Sequence, residues 1–141
     1  VADFMAGSIE WLTPDNTEDH WDIIEGQGAL FHVSYSGVTL ALIHGGRPDA
    51  LVLCHEPTRP HLRGLPAYPV PSLEELRELS LRMARIVNPD CVVAGIAVNT
   101  SGMEKTKVDG YLRELEQRMG LPSVDPFLDG AGRIADRLLS I

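Results

Sequence analysis

The feature of this chain that most constrains its fold is the run Cys91–Asn99, C-V-V-A-G-I-A-V-N, which is apolar up to its last residue. A strand with one face in water alternates apolar and polar residues, whereas a strand covered by helices on both faces is apolar throughout. The run therefore predicts a buried strand inside a parallel sheet.

Shorter apolar runs and periodic segments alternate around this strand. We predict further strands at Asp22–Glu25, Ala50–Cys54 and Leu121–Val124. We predict helices at Ser36–His44, from Ser72 to Ile86, from Glu104 to Met119 and at Ala131–Leu139. Strands separated by helices form βαβ units. The predicted fold class is therefore α/β, a three-layer parallel sheet with helices on both faces.

The boundaries of two helices are visible in the sequence. Ser72 and Glu75 form a capping box, and Asn88-Pro89 ends the helix that follows. The apolar stripe of this helix consists of Leu73, Leu76, Leu79, Met83 and Ile86. The segment Ser36–His44 fits a strand or a helix by periodicity alone. We favour a helix, because the glycines that follow it are typical of a helix end.

An amphipathic pattern runs from Val1 to Leu12 without a capping residue before it. A helix that opens without a cap or turn indicates missing upstream sequence. We therefore expect this chain to be the later part of a longer protein.

Charge, cysteine content and the length of the apolar stretches argue against several classes of protein. The formal charge of −8 disfavours a nucleic-acid backbone or an anionic membrane as the main partner. Cys54 and Cys91 lie in apolar runs, and we expect both to be small core residues. No apolar stretch approaches the roughly 20 residues that span a bilayer. These observations predict a cytoplasmic protein that acts on a small molecule.

Polar side chains concentrate where the predicted strands end, and ligands of open parallel sheets bind outside the carboxyl ends of the strands. The candidate site residues are Glu25, Gly26, Gln27, Gly28, His32, Ser34, Tyr35 and Ser36 after the first strand, and His55, Glu56, Thr58, Arg59, His61 and Arg63 after the second. Asn99, Thr100 and Ser101 follow the third strand, and Asp125 follows the fourth. We expect Glu25, His55, Asn99 and Asp125 to share one edge of the sheet.

The segment Glu25–Gly28 is the candidate phosphate and metal site. A carboxylate at the tip of an apolar strand suits Mg²⁺, bound directly or through water. The two glycines let backbone N–H groups approach a ligand. The alternative is a strand-ending turn whose glutamate caps a neighbouring helix.

The segment His55–Pro71 is a long polar loop that contains five of the ten prolines and shows no helical or strand period. Arg59 and Arg63 suit a phosphate or carboxylate. His55 and His61 can act as general bases. The alternative is a solvated lid that takes no part in the chemistry.

Other motifs give weaker signals. Asn99, Thr100 and Ser101 either cap the next helix or hydrogen-bond a ligand. The ligand types of Cys54, His55, His61 and His32 suit zinc, but their spacing matches no closed zinc site. The sequence contains no G-x-x-x-x-G-K-[ST], G-x-G-x-x-G or G-x-S-x-G motif, and hence no NAD fingerprint.

Three stretches resemble one family of bacterial and archaeal proteins across nearly the whole chain. They are D-I-I-E-G-Q-G-A-L-F-H-V-S-Y-S-G-V-T-L-A-L-I-H-G from Asp22, P-D-A-L-V-L-C-H-E-P-T-R-P-H-L-R-G from Pro48, and V-D-P-F from Val124. This family, formerly labelled NAD-dependent epimerase/dehydratase-like, includes D-glutamate N-acetyltransferases. The resemblance implies a P-loop NTPase-like fold. Residues 1–141 would be the C-terminal part of a P-loop-type domain, without its phosphate loop and without an N-terminal Rossmann-like domain.

The resemblance implies an N-acetyltransferase that uses acetyl-CoA to acetylate D-glutamate or a similar D-amino acid. His55 or His32 would be the base, and Arg59 and Arg63 would bind carboxylates or CoA phosphates. The E-G-Q-G pattern also resembles dethiobiotin synthetase, which implies an ATP- and Mg²⁺-dependent ligase or kinase with Glu25 near the metal. A non-catalytic ligand-binding domain is the third hypothesis. The expected partners are the missing N-terminal portion and further copies of the same protein.

Overall fold

The computed structural model describes residues 3–26 and 29–141. The helices are α1 (Asp3–Leu12), α2 (Ser36–Gly46), α3 (Leu73–Ala84), α4 (Lys105–Met119) and α5 (Gly132–Leu138). The strands are β1 (Ala50–His55), β2 (His61–Leu62), β3 (Leu65–Pro69), β4 (Val92–Val98) and β5 (Ser123–Val124). The chain divides into two compact units, Val1–Asp49 with Glu78–Cys91, and Ala50–Arg77 with Val92–Ile141.

The second unit contains a three-stranded parallel sheet in the order β1-β4-β5. The central strand β4 is almost completely buried, with Ala94, Ile96 and Val98 all 0% exposed. Its continuous apolar sequence therefore reflects its central position. The α/β class is confirmed, as are the strands predicted at Ala50–Cys54, Cys91–Asn99 and Leu121–Val124.

The helices predicted at Glu104–Met119 and Ala131–Leu139 are present as α4 and α5, and each buries apolar residues. The four apolar residues of α4 that share one helical face are all buried: Val108, Leu112, Leu115 and Met119. Gly120 ends α4 in the left-handed conformation, with φ of 66°, which glycine adopts without steric cost. On α5, Ile134 is buried and lies close to Gly95, since a Cβ built on Gly95 would lie 2.7 Å from Ile134 Cγ1.

The capping box before α3 is formed as predicted. The backbone N–H of Glu75 donates to Ser72 Oγ at 3.2 Å, and the backbone N–H of Ser72 donates to Glu75 Oε2 at 2.9 Å. The helix ends earlier than the apolar stripe indicates, because Ile86 lies beyond α3 and is 65% exposed.

The segment His55–Pro71 is not a structureless loop, and that prediction is wrong. Strands β2 and β3 pair antiparallel within it as a small hairpin. Gly64 has φ of 74° at the turn between them, as tight hairpins require. Prolines occur in β3 because a two-stranded hairpin leaves one side of each strand unpaired.

The first unit is helical in the described residues. Helix α2 confirms the helical interpretation of Ser36–His44. It crosses α1 closely, because a Cβ built on Gly45 would lie 2.2 Å from the carbonyl oxygen of Ala6. None of the helices in the described residues is long and apolar enough to cross a membrane.

The strand predicted at Asp22–Glu25 is absent. Asp22–Glu25 forms no strand, and Ile23 is 91% exposed. A short apolar run becomes a strand only where a neighbouring strand pairs with its backbone.

The prediction that both cysteines are core residues is right for Cys91 and wrong for Cys54. Cys91 is fully buried, whereas Cys54 is exposed. Cys54 lies on β1, an outer strand of the three-stranded sheet, and alternate residues of that strand point away from the core.

Candidate functional site

The carboxyl ends of the three parallel strands bring His55, Asn99 and Asp125 to one edge of the sheet. Strand β1 ends at His55, while Asn99 and Asp125 directly follow β4 and β5. The backbone N–H of Asn99 donates to the His55 carbonyl oxygen at 2.8 Å. The predicted common edge is therefore present for these three residues.

The imidazole of His55 is half-buried and hydrogen-bonded to Tyr111 of α4. His55 Nε2 lies 2.9 Å from Tyr111 Oη, and the two rings are nearly parallel, at 22°. Burial lowers the pKa of His55 below its ordinary value of 6.5; the positive charge of Arg118 lowers it further, and Glu56 acts in the opposite direction. The neutral imidazole, which can accept a proton, is therefore the dominant form at pH 7.

Tyr111 is a further candidate site residue, which the sequence patterns did not predict. It lies three residues after Val108 and four before Leu115, beside the apolar face of α4. Burial raises the pKa of its phenol, so the hydroxyl keeps its proton at neutral pH. A tyrosine at the edge of an apolar stripe buries its ring and needs a polar partner for its hydroxyl. That spacing was a usable signal.

Asp125 is 3% exposed and joins the loop after β4 to the loop after β5. Its Oδ2 accepts hydrogen bonds from the backbone N–H of Thr100, at 3.1 Å, and from the Thr100 hydroxyl. Its Oδ1 accepts the N–H of Phe127 at 2.9 Å. Burial alone raises the pKa of Asp125, but hydrogen bonds from Thr100, Phe127 and Leu128 outweigh burial and lower the pKa below its ordinary 3.8.

The segment Asn99–Ser101 forms a local turn, because Asn99 Oδ1 accepts the N–H of Ser101 at 3.1 Å. The interpretation of this segment as the cap of the next helix is wrong. Helix α4 begins at Lys105, and Glu104 occupies its N-cap position without a side-chain capping bond. Thr100 is held by Asp125 instead.

The loop after β1 approaches the loop after β4. A Cβ built on Gly102 would lie 2.4 Å from Thr58 Oγ1, so only glycine fits there without displacing Thr58. In the same loop, Arg59 forms an ion pair with Glu56.

Two predicted site residues lie in the hairpin. His61 Nδ1 lies 3.0 Å from the Leu62 carbonyl oxygen. Arg63 is exposed beside Gly64 at the hairpin turn.

The remaining predicted site residues belong to the first unit. Glu25 is exposed and follows no strand, and Gln27 and Gly28 lie outside the described residues. A Cβ built on Gly26 would lie 2.2 Å from Leu42 Cδ1, so Gly26 packs directly against α2. The prediction that Glu25 ends a strand is wrong, and its role in metal binding stays a prediction.

His32 is buried, at 7% exposed, in the turn before α2. Its Nδ1 accepts the backbone N–H of Ser34 at 3.2 Å, and its ring lies 4.4 Å from that of Tyr35, centroid to centroid. Ser36 is the first residue of α2. A neutral imidazole that accepts at Nδ1 carries its hydrogen on Nε2.

Across residues 3–26 and 29–141, the side chains form no group of three or more His, Cys, Asp or Glu able to hold a metal ion.

Residues 1–135 match the family model described as a domain of unknown function (DUF1611_C), P-loop domain. The chain belongs to this family. A solved DUF1611 family protein from Anabaena variabilis ATCC 29413 has the same fold, with a TM-score of 0.87 and 31% sequence identity over 99% of this chain and 41% of that one. The family resemblance and the α/β fold predicted from the sequence are thus confirmed.

Two curated relatives of this DUF1611 chain are named D-glutamate N-acetyltransferase. The relative from Tritonibacter scottomollicae is 64% identical over 100% of this chain. The relative from Pseudoalteromonas sp is 47% identical over 98% of this chain. The DUF1611 chain spans 42% of the length of each of these relatives.

Proposed function

We propose that this chain contributes to an N-acetyltransferase that moves an acetyl group from acetyl-CoA to the amine of D-glutamate or a similar D-amino acid. The observation that carries the proposal is the 64% identity, along the whole chain, to a relative named D-glutamate N-acetyltransferase. Because the chain spans 42% of that relative, the activity belongs to the whole protein. The residues that this chain supplies lie at the carboxyl edge of its sheet.

The reaction needs a base, because the amine of an amino acid is protonated at neutral pH and an ammonium is not a nucleophile. His55 suits this role better than His32. The pKa of His55 is lowered by burial, so its imidazole is neutral at pH 7. The Nδ1 lone pair of His32 is engaged by the Ser34 N–H, and its other nitrogen carries the ring hydrogen.

The proposed reaction removes two protons from the substrate nitrogen and exchanges the C–S bond of the thioester for a C–N bond. The substrate ammonium loses one proton to the His55 imidazole, which passes it to water. The freed nitrogen lone pair attacks the thioester carbonyl carbon and forms the C–N bond. The C–S bond then breaks, and its electron pair leaves on sulfur. The thiolate takes the second proton lost from nitrogen, giving the N-acetyl amino acid and the CoA thiol.

An acidic substrate and the CoA phosphates both need cations, although the chain carries a net charge of −8. Arg59 and Arg63 are exposed residues of the segment after β1. The ion pair of Arg59 with Glu56 lies at the surface, where such a pair contributes about 0–1 kcal/mol. Arg59 can therefore exchange Glu56 for a substrate carboxylate or a phosphate at little cost.

The experiment compares acetyl transfer by the wild-type whole protein with that of His55→Gln. Loss of a general base lowers kcat by about 100-fold or more, while the KM for the amino acid should change little. His20→Gln is the matched control, because His20 is exposed and is not one of the proposed site residues. His55→Gln activity within about threefold of wild type would remove His55 from the mechanism. Absence of any transfer by the wild-type protein would remove the proposed reaction.

The description of the family as a P-loop domain favours one alternative, an ATP- and Mg²⁺-dependent ligase or kinase. In that reaction Glu25 would be near the metal. Isothermal titration of the whole protein with acetyl-CoA and, separately, with ATP–Mg²⁺ distinguishes the two functions. Heat with ATP–Mg²⁺ alone, lost in Glu25→Gln, would favour the alternative. Heat with acetyl-CoA that Glu25→Gln preserves would favour the acetyltransferase.

A further inference from the structure

The hydrogen bond between His55 and Tyr111 ties one ring nitrogen to α4, and none of the described residues hydrogen-bonds the other. Nε2 is the atom within 2.9 Å of Tyr111 Oη. The phenol is neutral, since burial raises its pKa, so its oxygen can either donate or accept. The direction of this one hydrogen bond decides which nitrogen of the neutral His55 carries the ring hydrogen.

Only one of the two directions leaves a lone pair for a substrate. If Tyr111 donates to Nε2, the ring hydrogen is on Nδ1, and His55 can only donate there. If Nε2 donates to the phenol oxygen, the Nδ1 lone pair is free to take a proton. A catalytic base held through its second nitrogen by an orienting group is the general arrangement of activated histidines.

We propose that Tyr111 is the positioning residue of His55, whose Nε2–H it accepts, so that Nδ1 takes the proton from the substrate amine. The inference rests on the proposed acetyl transfer and adds a residue on α4 to the strand-end residues of the site. The bond from Nε2 persists when the imidazole becomes protonated, so the ring keeps one orientation through the proton transfer.

The charged groups around His55 and Tyr111 have opposite effects on the protonation of these two side chains. Arg118 of α4 disfavours the imidazolium, and Glu56, next to His55 in the chain, favours it. On the Tyr111 phenol, burial has the largest effect and raises the pKa, while Arg118 favours ionisation and Glu114 of α4 disfavours it. Arg118 is itself paired with Glu74 at 3.1 Å. The phenol oxygen adds a neutral acceptor that stabilises the Nε2–H of the imidazolium without introducing another charge.

The first test reads the His55 tautomer by ¹⁵N NMR in the wild-type whole protein without substrate, with the signal assigned through its loss in His55→Gln. We expect the hydrogen on Nε2 in the neutral form. A hydrogen on Nδ1 would overturn the proposal. This measurement needs neither a Tyr111 variant nor catalysis. It therefore decides the direction of the His55–Tyr111 hydrogen bond even if the proposed reaction is wrong or Tyr111→Phe fails to fold.

The second test is the kinetics of Tyr111→Phe, which keeps the ring and removes the acceptor. We expect kcat to fall about tenfold, less than on loss of the base itself, with the KM for the amine within about twofold. In the pH profile of kcat/KM, the acid limb should move to lower pH. The His55 imidazolium loses a hydrogen bond in this variant, which lowers the pKa of His55. Tyr68→Phe, on exposed β3, is the control and should behave as wild type. An unchanged kcat, or an acid limb that moves to higher pH, would contradict the proposal.

Discussion

Replacing Asp125 with asparagine tests whether this carboxylate holds the edge of the sheet together. The carboxylate accepts two hydrogen bonds from Thr100 and one from Phe127. A hydrogen bond to a charged group contributes about 1.5–3 kcal/mol. An asparagine keeps one carbonyl oxygen for Thr100 but turns its amide N–H groups toward the Phe127 N–H. One charge-assisted bond is lost and two are weakened, so Asp125→Asn should destabilise the protein by about 2–4 kcal/mol.

Urea unfolding of the purified wild-type and Asp125→Asn proteins measures the difference in their free energies of unfolding. Thr100→Val is a milder variant that removes one of the three hydrogen-bond donors to Asp125. The pKa of Asp125 is lowered in the folded state, below its ordinary 3.8. Its stabilisation is therefore fully present above pH 3.8 and is lost as the pH falls through the folded pKa. The difference in free energy of unfolding between wild type and Asp125→Asn should be constant from pH 7 to pH 5. A difference below about 0.5 kcal/mol at pH 7, or one that disappears by pH 5, would refute this reasoning.

Two further predictions concern backbone positions and helix ends. Gly45→Ala should destabilise the protein by about 1–3 kcal/mol, because its Cβ would meet the Ala6 carbonyl oxygen. Gly37→Ala in the same helix meets nothing within 4 Å and should stabilise by about 0.5–1 kcal/mol; thermal unfolding that ranks the two equally would contradict the crossing of α1 and α2. Ser72→Ala should cost about 1 kcal/mol by removing the acceptor of the Glu75 N–H, and an unchanged melting temperature would argue against the cap.

The parts of the fold that the sequence predicts are those with long, redundant patterns. Strand β4 is apolar at every position from Val92 to Val98, and α4 repeats apolar residues over several turns. Such patterns report burial directly. The run Asp22–Glu25 is too short for this, because two adjacent isoleucines fit a strand, a turn or an exposed segment equally well. Which of these forms depends on neighbours distant in the sequence.

The candidate site was predictable in part for the same reason. The rule that parallel strands end at one edge places His55, Asn99 and Asp125 together without knowledge of side chains. The partners of these residues were not predictable from strands alone. Tyr111 reaches His55 from a helix, across a sequence separation of 56 residues. Thr100 contributes a hydrogen bond to Asp125 rather than the expected helix cap.

The most direct test of the central claim is a crystal structure of the whole protein with D-glutamate and a non-reactive acetyl-CoA analogue. We predict that the substrate nitrogen lies within hydrogen-bonding reach, roughly 3 Å, of His55 Nδ1. The acyl carbon should lie next to that nitrogen, at the carboxyl ends of β1 and β4. A substrate bound elsewhere, with its amine far from His55, would contradict the account.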